Sequence, residues 1–202
     1  HPVPPPPGNQ SERFCSELEA VNGKVYRAVG IGEASQTVAQ LIREREIQTL
    51  ACWDTPMLRI LEGAIATEGY NAEWLWGPSR HSDFEQLKTT HLGITEADFG
   101  MAASGTLVLL AKPGRSRLIS LLPEIHLAIL PENRLIEGLE DIPEIILDTF
   151  RLKNGTNGAQ AIDFITGPSR SSDIGMVPTL GAHGPKEVHV ILLQGGSTEG
   201  SL

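Results

Sequence analysis

The side chains able to do chemistry in this chain gather in a few short segments punctuated by glycine and proline. Ser104-Gly105-Thr106 sits between two apolar runs and is followed by Pro113-Gly114-Arg115-Ser116-Arg117. Small residues permit close backbone approach, and Ser104 and Thr106 supply hydroxyl and N–H donors for a carboxylate, a phosphate or a carbonyl. Arg115 or Arg117 adds a planar guanidinium fork for the same anion. The segment reads equally as a β-hairpin turn with solvated arginines. Further on, Glu124 and His126 stand two apart at the start of an apolar run. On a strand such residues share a face, so the pair can pass a proton if that face lines a cleft. The other reading makes His126 a satisfied, partly buried residue and Glu124 an edge carboxylate. The densest segment is Thr166-Gly167-Pro168-Ser169-Arg170-Ser171-Ser172-Asp173, followed by Gly181-Ala182-His183-Gly184-Pro185. A strand, a glycine turn, hydroxyls and an arginine are how α/β folds build sites at the carboxyl ends of strands. The candidate set is thus His183, Glu124 and His126 for proton transfer. Ser104, Gly105, Thr106, Arg117, Thr166, Gly167, Ser169, Arg170, Asp173 and Gly184 are the candidates for holding a small anionic ligand.

Other chemistries find no support. Gly30-Ile31-Gly32-Glu33 has two glycines but no third, and Glu33 sets a carboxylate where a dinucleotide phosphate would lie, so it reads as a turn. HxxxH, HExxH, GxSxG and Walker A patterns are absent, so no metal site is expected. Cys15 and Cys52, 37 residues apart, are too few for a four-thiolate cluster and suit a reducing, cytoplasmic compartment. With 16 Lys+Arg against 25 Asp+Glu the net charge is −9, which opposes nucleic acid and anionic membrane surfaces. No apolar run approaches the roughly 20 residues of a membrane span.

These residues need a scaffold, and the chain writes one by alternating short β-branched runs with longer helical patterns. Strands are expected at Lys24–Val29, Thr49–Trp53, Glu73–Trp76, Thr106–Ala111, His126–Pro131, Ala161–Thr166 and Val188–Leu193. Val38, Leu41 and Ile42 mark a helix over Ser35–Glu46 with Ser35 as its N-cap. Pro56 opens a second helix carrying Met57, Ile60, Leu61, Ala64 and Ile65, and Leu139–Leu152 forms a third. Phe99–Ala111 reads as strand, turn, strand, an antiparallel insertion. The expected fold is a single α/β domain of three layers, its mixed, mostly parallel sheet flanked by helices. It spans residues 12–194, after a Pro-rich, disordered lead at 1–11 and before a flexible tail at 195–202. The octet Gly77–Phe84 matches Gly167–Ile174 at six of eight positions, which reads as the same strand-end and helix-cap chemistry written twice.

Taken in order, Ser104-Gly105-Thr106-Leu107-Val108, Arg117-Leu118-Ile119-Ser120-Leu121-Leu122-Pro123, His126, Ile165-Thr166-Gly167-Pro168-Ser169-Arg170, Asp173-Ile174 and Gly181-Ala182-His183-Gly184-Pro185 resemble the lactate utilisation protein C family, the LUD domain. The resemblance runs from about Phe14 to Leu193. Ala103 stands where family members often carry an acidic residue, and Ala182 where valine is usual. The resemblance implies a fold similar to the NagB/RpiA/CoA-transferase-like superfamily. It also implies work with two iron–sulfur partner proteins in oxidising L-lactate to pyruvate, with no cofactor held by this chain. The alternative is an independent transferase, ligase or isomerase, binding a nucleotide, CoA or a sugar phosphate in the same cleft.

Overall fold

The centre of the fold is carried by two runs that are apolar without alternation, Ile125–Pro131 and Glu187–Gln194. The first is buried at every position and the second at all but its ends. Continuous burial of this kind belongs to strands covered on both faces. The computed structural model describes residues 10–70, 72–77, 83–142, 161–172, 178–180 and 184–195. In chain order its elements are α1 (Gln10–Ala20), β1 (Lys24–Val29), α2 (Gly30–Glu44), β2 (Thr49–Cys52), α3 (Pro56–Thr67), β3 (Glu73–Trp76) and α4 (Asp83–Lys88). Then come β4 (Leu92–Glu96), β5 (Phe99–Met101), β6 (Thr106–Ala111), α5 (Leu118–Leu121), β7 (Ile125–Pro131), β8 (Leu135–Ile136), β9 (Ala161–Ile165), β10 (Arg170–Ser172), β11 (Pro178–Leu180) and β12 (Glu187–Gln194).

Six strands form a sheet in the order β1-β12-β7-β4-β2-β3, and every pairing in it is parallel. The α/β class and the helix-flanked, mostly parallel sheet are as the sequence implies. The antiparallel hairpin does not insert into this sheet, however. β5 and β6 join β8 and β9 in a second, four-stranded sheet ordered β8-β5-β6-β9. Helix α2 packs on β1 and β12, while α5 packs on β4 and β7. These are opposite faces, because the α5 side carries Gly93 and His126 and the α2 side carries Lys24 and His189. No helix of the described residues is long and apolar enough to cross a membrane.

Local signals explain most boundaries. Thr55 caps α3 by accepting from the Leu58 N–H, and Pro56 takes the first helical position, where its missing donor costs nothing. Its buried face is Leu58, Leu61 and Ile65, whereas Ile60 points to solvent. Ser35 is not an N-cap. Helix α2 starts five residues earlier, on Gly30 with φ +77°, and Glu33 caps it by accepting from the Val29 N–H at 2.7 Å. Ser35 lies inside, its hydroxyl donating to the Gly32 carbonyl. Thus the Gly-x-Gly-Glu segment is the first turn of a helix, and it sets a carboxylate of the chain itself at the positive end of the helix dipole. Helix α1 has no counterpart in the sequence reading; it buries Phe14 and Leu18 completely. Of the helix expected at Leu139–Leu152, Leu139–Asp141 forms a 3-10 turn, and residues 143–152 lie outside the described part.

Strand β4 escaped the sequence reading because Gly93 interrupts its apolar run, and that glycine is what lets α5 sit down. A Cβ there would meet the Ile119 carbonyl oxygen at 2.0 Å. Gly93→Ala is therefore expected to lower stability by about 1–3 kcal/mol, the usual cost of overpacking. Urea unfolding followed by circular dichroism would read it as a lower midpoint at constant slope. An unchanged midpoint would mean that α5 does not rest on β4.

Candidate functional site

The motif residues come together along the amino-terminal rim of the parallel sheet, not at the carboxyl ends of its strands as expected, and strand register is what joins them. β6 and β9 pair antiparallel with Leu107 opposite Ile165, which carries Thr106 up to Thr166. The Thr106 hydroxyl lies 2.7 Å from both the Ser104 hydroxyl and the Thr166 hydroxyl. Thr106 is buried and Thr166 exposed, so this three-hydroxyl chain opens to solvent at one end. A hydroxyl donates one hydrogen and accepts others, so the chain can turn its free donor or acceptor toward a polar ligand at Thr166.

Gly105 and Gly167 do not expose backbone to a ligand, as the sequence reading expected of them. Their φ angles are +61° and +75°, and the end of α1 presses on both turns. A Cβ on Gly105 would lie 2.3 Å from the Leu18 nitrogen, and one on Gly167 would lie 2.9 Å from the Val21 carbonyl. The space that glycine leaves is filled by the chain itself. Ser169 donates its N–H to the Pro185 carbonyl at 2.9 Å, and Gly184 lies against the Ser169 side chain. The Lys186 and Glu187 amides both donate to the Glu124 carbonyl. Ser104, Thr106, Thr166, Ser169, Gly184 and Glu124 therefore follow one another along this rim. Arg170 opens β10, paired with Leu180. Asp173 and His183 lie outside the described residues, as does most of the first octet, from 78 to 82.

Two other expectations are corrected. Arg117 does not offer its fork to an anion, because its Nε lies 2.8 and 2.9 Å from the two oxygens of Asp163 on β9. Glu124 and His126 do not form a proton-transfer pair. β7 begins at Ile125, so Glu124 stays on the rim, exposed and ion-paired to Lys186 at 2.6 Å. His126 is wholly buried, its Nε2 2.9 Å from the Thr95 hydroxyl and its Nδ1 without a partner among the described residues. Burial, helped by His189, pushes its pKa down to about 3, so the ring is a neutral core residue.

Two clusters were missed. At the carboxyl rim, Arg115 lies 3.2 Å from Asp98 and 3.6 Å from Glu96, over the Trp53 ring, and Thr55 hydrogen-bonds to Glu96. The signal was Glu96 and Asp98, two apart at a strand end. The second is Glu187 with His189, the same carboxylate-x-imidazole spacing as Glu124 and His126 but lying wholly within a strand. His189 Nε2 is 2.8 Å from Glu187, and its Nδ1 is 3.1 Å from the Tyr26 hydroxyl. Among the described residues no three His, Cys, Asp or Glu side chains gather as a metal site would require.

Residues 11–193 match the family model of the LUD domain. The chain is 36% identical over 193 residues to lactate utilization protein C of Halalkalibacterium halodurans, covering 92% of this chain and 81% of that protein. It is 41% identical over 122 residues to the lactate utilization protein C of an Exiguobacterium species, covering 60% and 52%. Against that of Bacillus subtilis the figures are 32% over 121 residues, covering 59% and 50%. The matches thus span about half the length of these last two relatives. The crystal structure of a DUF162 family protein from Deinococcus radiodurans superposes with a TM-score of 0.67 at 14% identity, covering 94% of this chain and 99% of that one. At that identity the likeness establishes the fold.

The buried imidazole sets an acid limit on stability. Folded His126 stays neutral down to about pH 3, whereas the unfolded chain protonates near 6.5, so the unfolded state binds more protons between these values. Stability is full above about pH 6.5 and falls as pH drops toward 3, by up to about 1.4 kcal/mol per pH unit from this group. His189 acts in the same direction. His126→Gln should flatten the fall in urea midpoint between pH 7 and 4, and an identical slope in the variant would refute the assignment. In the hydroxyl chain, Thr106→Val should cost about 1 kcal/mol. A double-mutant cycle with Thr166→Val should show coupling of at least about 0.5 kcal/mol, and strict additivity would contradict the contact.

Proposed function

Since the chain belongs to the LUD domain family, we propose that it serves lactate utilisation as the cluster-free component of a system that oxidises L-lactate to pyruvate. The observation that carries this reading is the match along residues 11–193, together with relatives named lactate utilization protein C. Oxidising a 2-hydroxy acid to a 2-keto acid releases two electrons and two protons, so an electron acceptor must be within reach. Only Cys15 and Cys52 are present in this sequence, and both are buried; burial also pushes the Cys52 thiol well above its ordinary pKa. Thiolates are what iron–sulfur clusters require. This supports placing the clusters on two partner proteins, with which this chain acts in the cytoplasm.

In this reading the chain contributes a binding rim rather than a redox centre. The exposed end of the hydroxyl chain at Thr166, with Ser169 close along the same rim, suits the carboxylate of a small anionic ligand.

The test is reconstitution. Lactate-dependent dye reduction by the two iron–sulfur partners should fall at least tenfold when this chain is left out and return when it is added back. Activity that does not change on its removal would overturn a required role. In that event, thermal stabilisation by a nucleotide, CoA or a sugar phosphate would point instead to an independent small-molecule enzyme.

A further inference from the structure

Beneath α2, on the face opposite His126, three polar side chains form a line that the lactate reading does not use. We propose that Tyr26 is an activated hydroxyl, the nucleophilic end of a Glu187–His189–Tyr26 relay that accepts an acyl group from an activated ester. Glu187 is anchored, because the same oxygen, Oε2, lies 2.8 Å from Lys24 Nζ, 2.9 Å from Arg45 Nη2 and 2.8 Å from His189 Nε2. Two cations on a carboxylate keep it ionised and an acceptor only, so the His189 hydrogen must sit on Nε2. That leaves the Nδ1 lone pair to accept from the Tyr26 hydroxyl, 3.1 Å away. Carboxylate, imidazole and hydroxyl then stand in the order that general-base activation of a nucleophile demands, with the tautomer set by the carboxylate.

Strand pairing holds the line in place. Lys24 lies opposite His189 in the β1–β12 register, and Tyr26 is two residues on from Lys24, on the same face. The Tyr26 and His189 rings are 5.8 Å apart and nearly parallel, at 14°. His189 is fully buried, while Tyr26 sits on the edge strand and is only partly covered. Around the imidazole stand Glu187 on its own strand, Lys24 and Tyr26 from β1, Arg45 just past the end of α2, and His126 from β7, while burial, with Glu44 and Glu187, raises the Tyr26 pKa, so the phenol holds its proton at neutral pH until a base takes it. Burial outweighs the Glu187 charge and lowers the His189 pKa, so the ring is a neutral base at neutral pH. A groove of about 230 Å³ meets the relay at Glu187 alone, its carboxylate end, and is lined there by Arg45, Lys186 and His91.

The step balances within these groups. A bond forms between Tyr26 Oη and the acyl carbon, and the bond from that carbon to the leaving oxygen breaks. The phenolic proton passes to His189 Nδ1, where Glu187 stabilises the imidazolium. The leaving group departs with the bonding electrons.

Tyr70 is the only other tyrosine and serves as an internal control, with the Arg43 guanidinium 5.2 Å from its ring centre. The full chain would be treated with 4-nitrophenyl acetate between pH 5 and 10, with acetylation of each tyrosine followed by peptide mass spectrometry. Tyr26 should react at least tenfold faster than Tyr70 at pH 7.5, with a rate that levels off above the imidazole ionisation. His189→Gln should bring Tyr26 down to the Tyr70 rate and leave Tyr70 unchanged. Should His189→Gln fail to fold by circular dichroism, Glu187→Gln at the partly exposed end must lower the Tyr26 rate instead. A merely structural network predicts the reverse order, since a covered, hydrogen-bonded phenol reacts more slowly than a freer one. Tyr26 reacting no faster than Tyr70, a rate indifferent to the folded variants, or one rising only with phenol ionisation above pH 9 would each overturn the proposal.

Discussion

Strands β7 and β12 lie side by side at the middle of the sheet, buried along almost their whole length, where solvent does not reach their amides and carbonyls. Every backbone group in them must therefore find its partner in a neighbouring strand, since an unpaired one in such a place costs about as much as a lost hydrogen bond. This constraint sets the register from Glu187 opposite Ile125 to Leu193 opposite Pro131, and through β1 and β4 it aligns the rest of the sheet. The two buried histidines follow from it. His126 faces α5 and finds the Thr95 hydroxyl on β4, while His189 faces α2 and finds Tyr26 and Glu187.

The same alignment separates the two rims chemically. The amino rim carries neutral hydroxyls, the Glu124–Lys186 pair and the anchored Glu187. The carboxyl rim carries Glu96 and Asp98 on either side of the single guanidinium of Arg115, which lies against Trp53. Arg117 stands apart from both, holding the loop after β6 to β9 through Asp163. A guanidinium already bonded to a carboxylate on two oxygens is a structural clamp, and an anion would have to displace that carboxylate to use it.

Glycine spacing was legible as punctuation but not as purpose. Gly93, Gly105 and Gly167 each leave room for another part of the chain: the first for the Ile119 carbonyl, the others for the end of α1. A glycine beside hydroxyls invites a ligand-binding reading, and nothing local distinguishes a gap for a ligand from a gap for a distant helix. Helix α1 itself was unread, and it is the element that fills two of these three gaps.

The amino-acid sequence by itself determined the elements whose cause is local. These are the short apolar, β-branched or aromatic runs of β1, β2, β3, β6, β7, β9 and β12, the Thr55–Pro56 start of α3 and the ordered motifs that resemble the LUD domain. Capping, strand propensity and apolar runs act within a few residues, so they can be read from neighbours. Only the tertiary structure decided that Thr106 meets Thr166, sixty positions away, and that Glu187 rather than Glu124 finds an imidazole. Both depend on register between strands far apart in the chain. A shift of one residue would send each side chain to the opposite face, and only the burial of the whole sheet selects between the two.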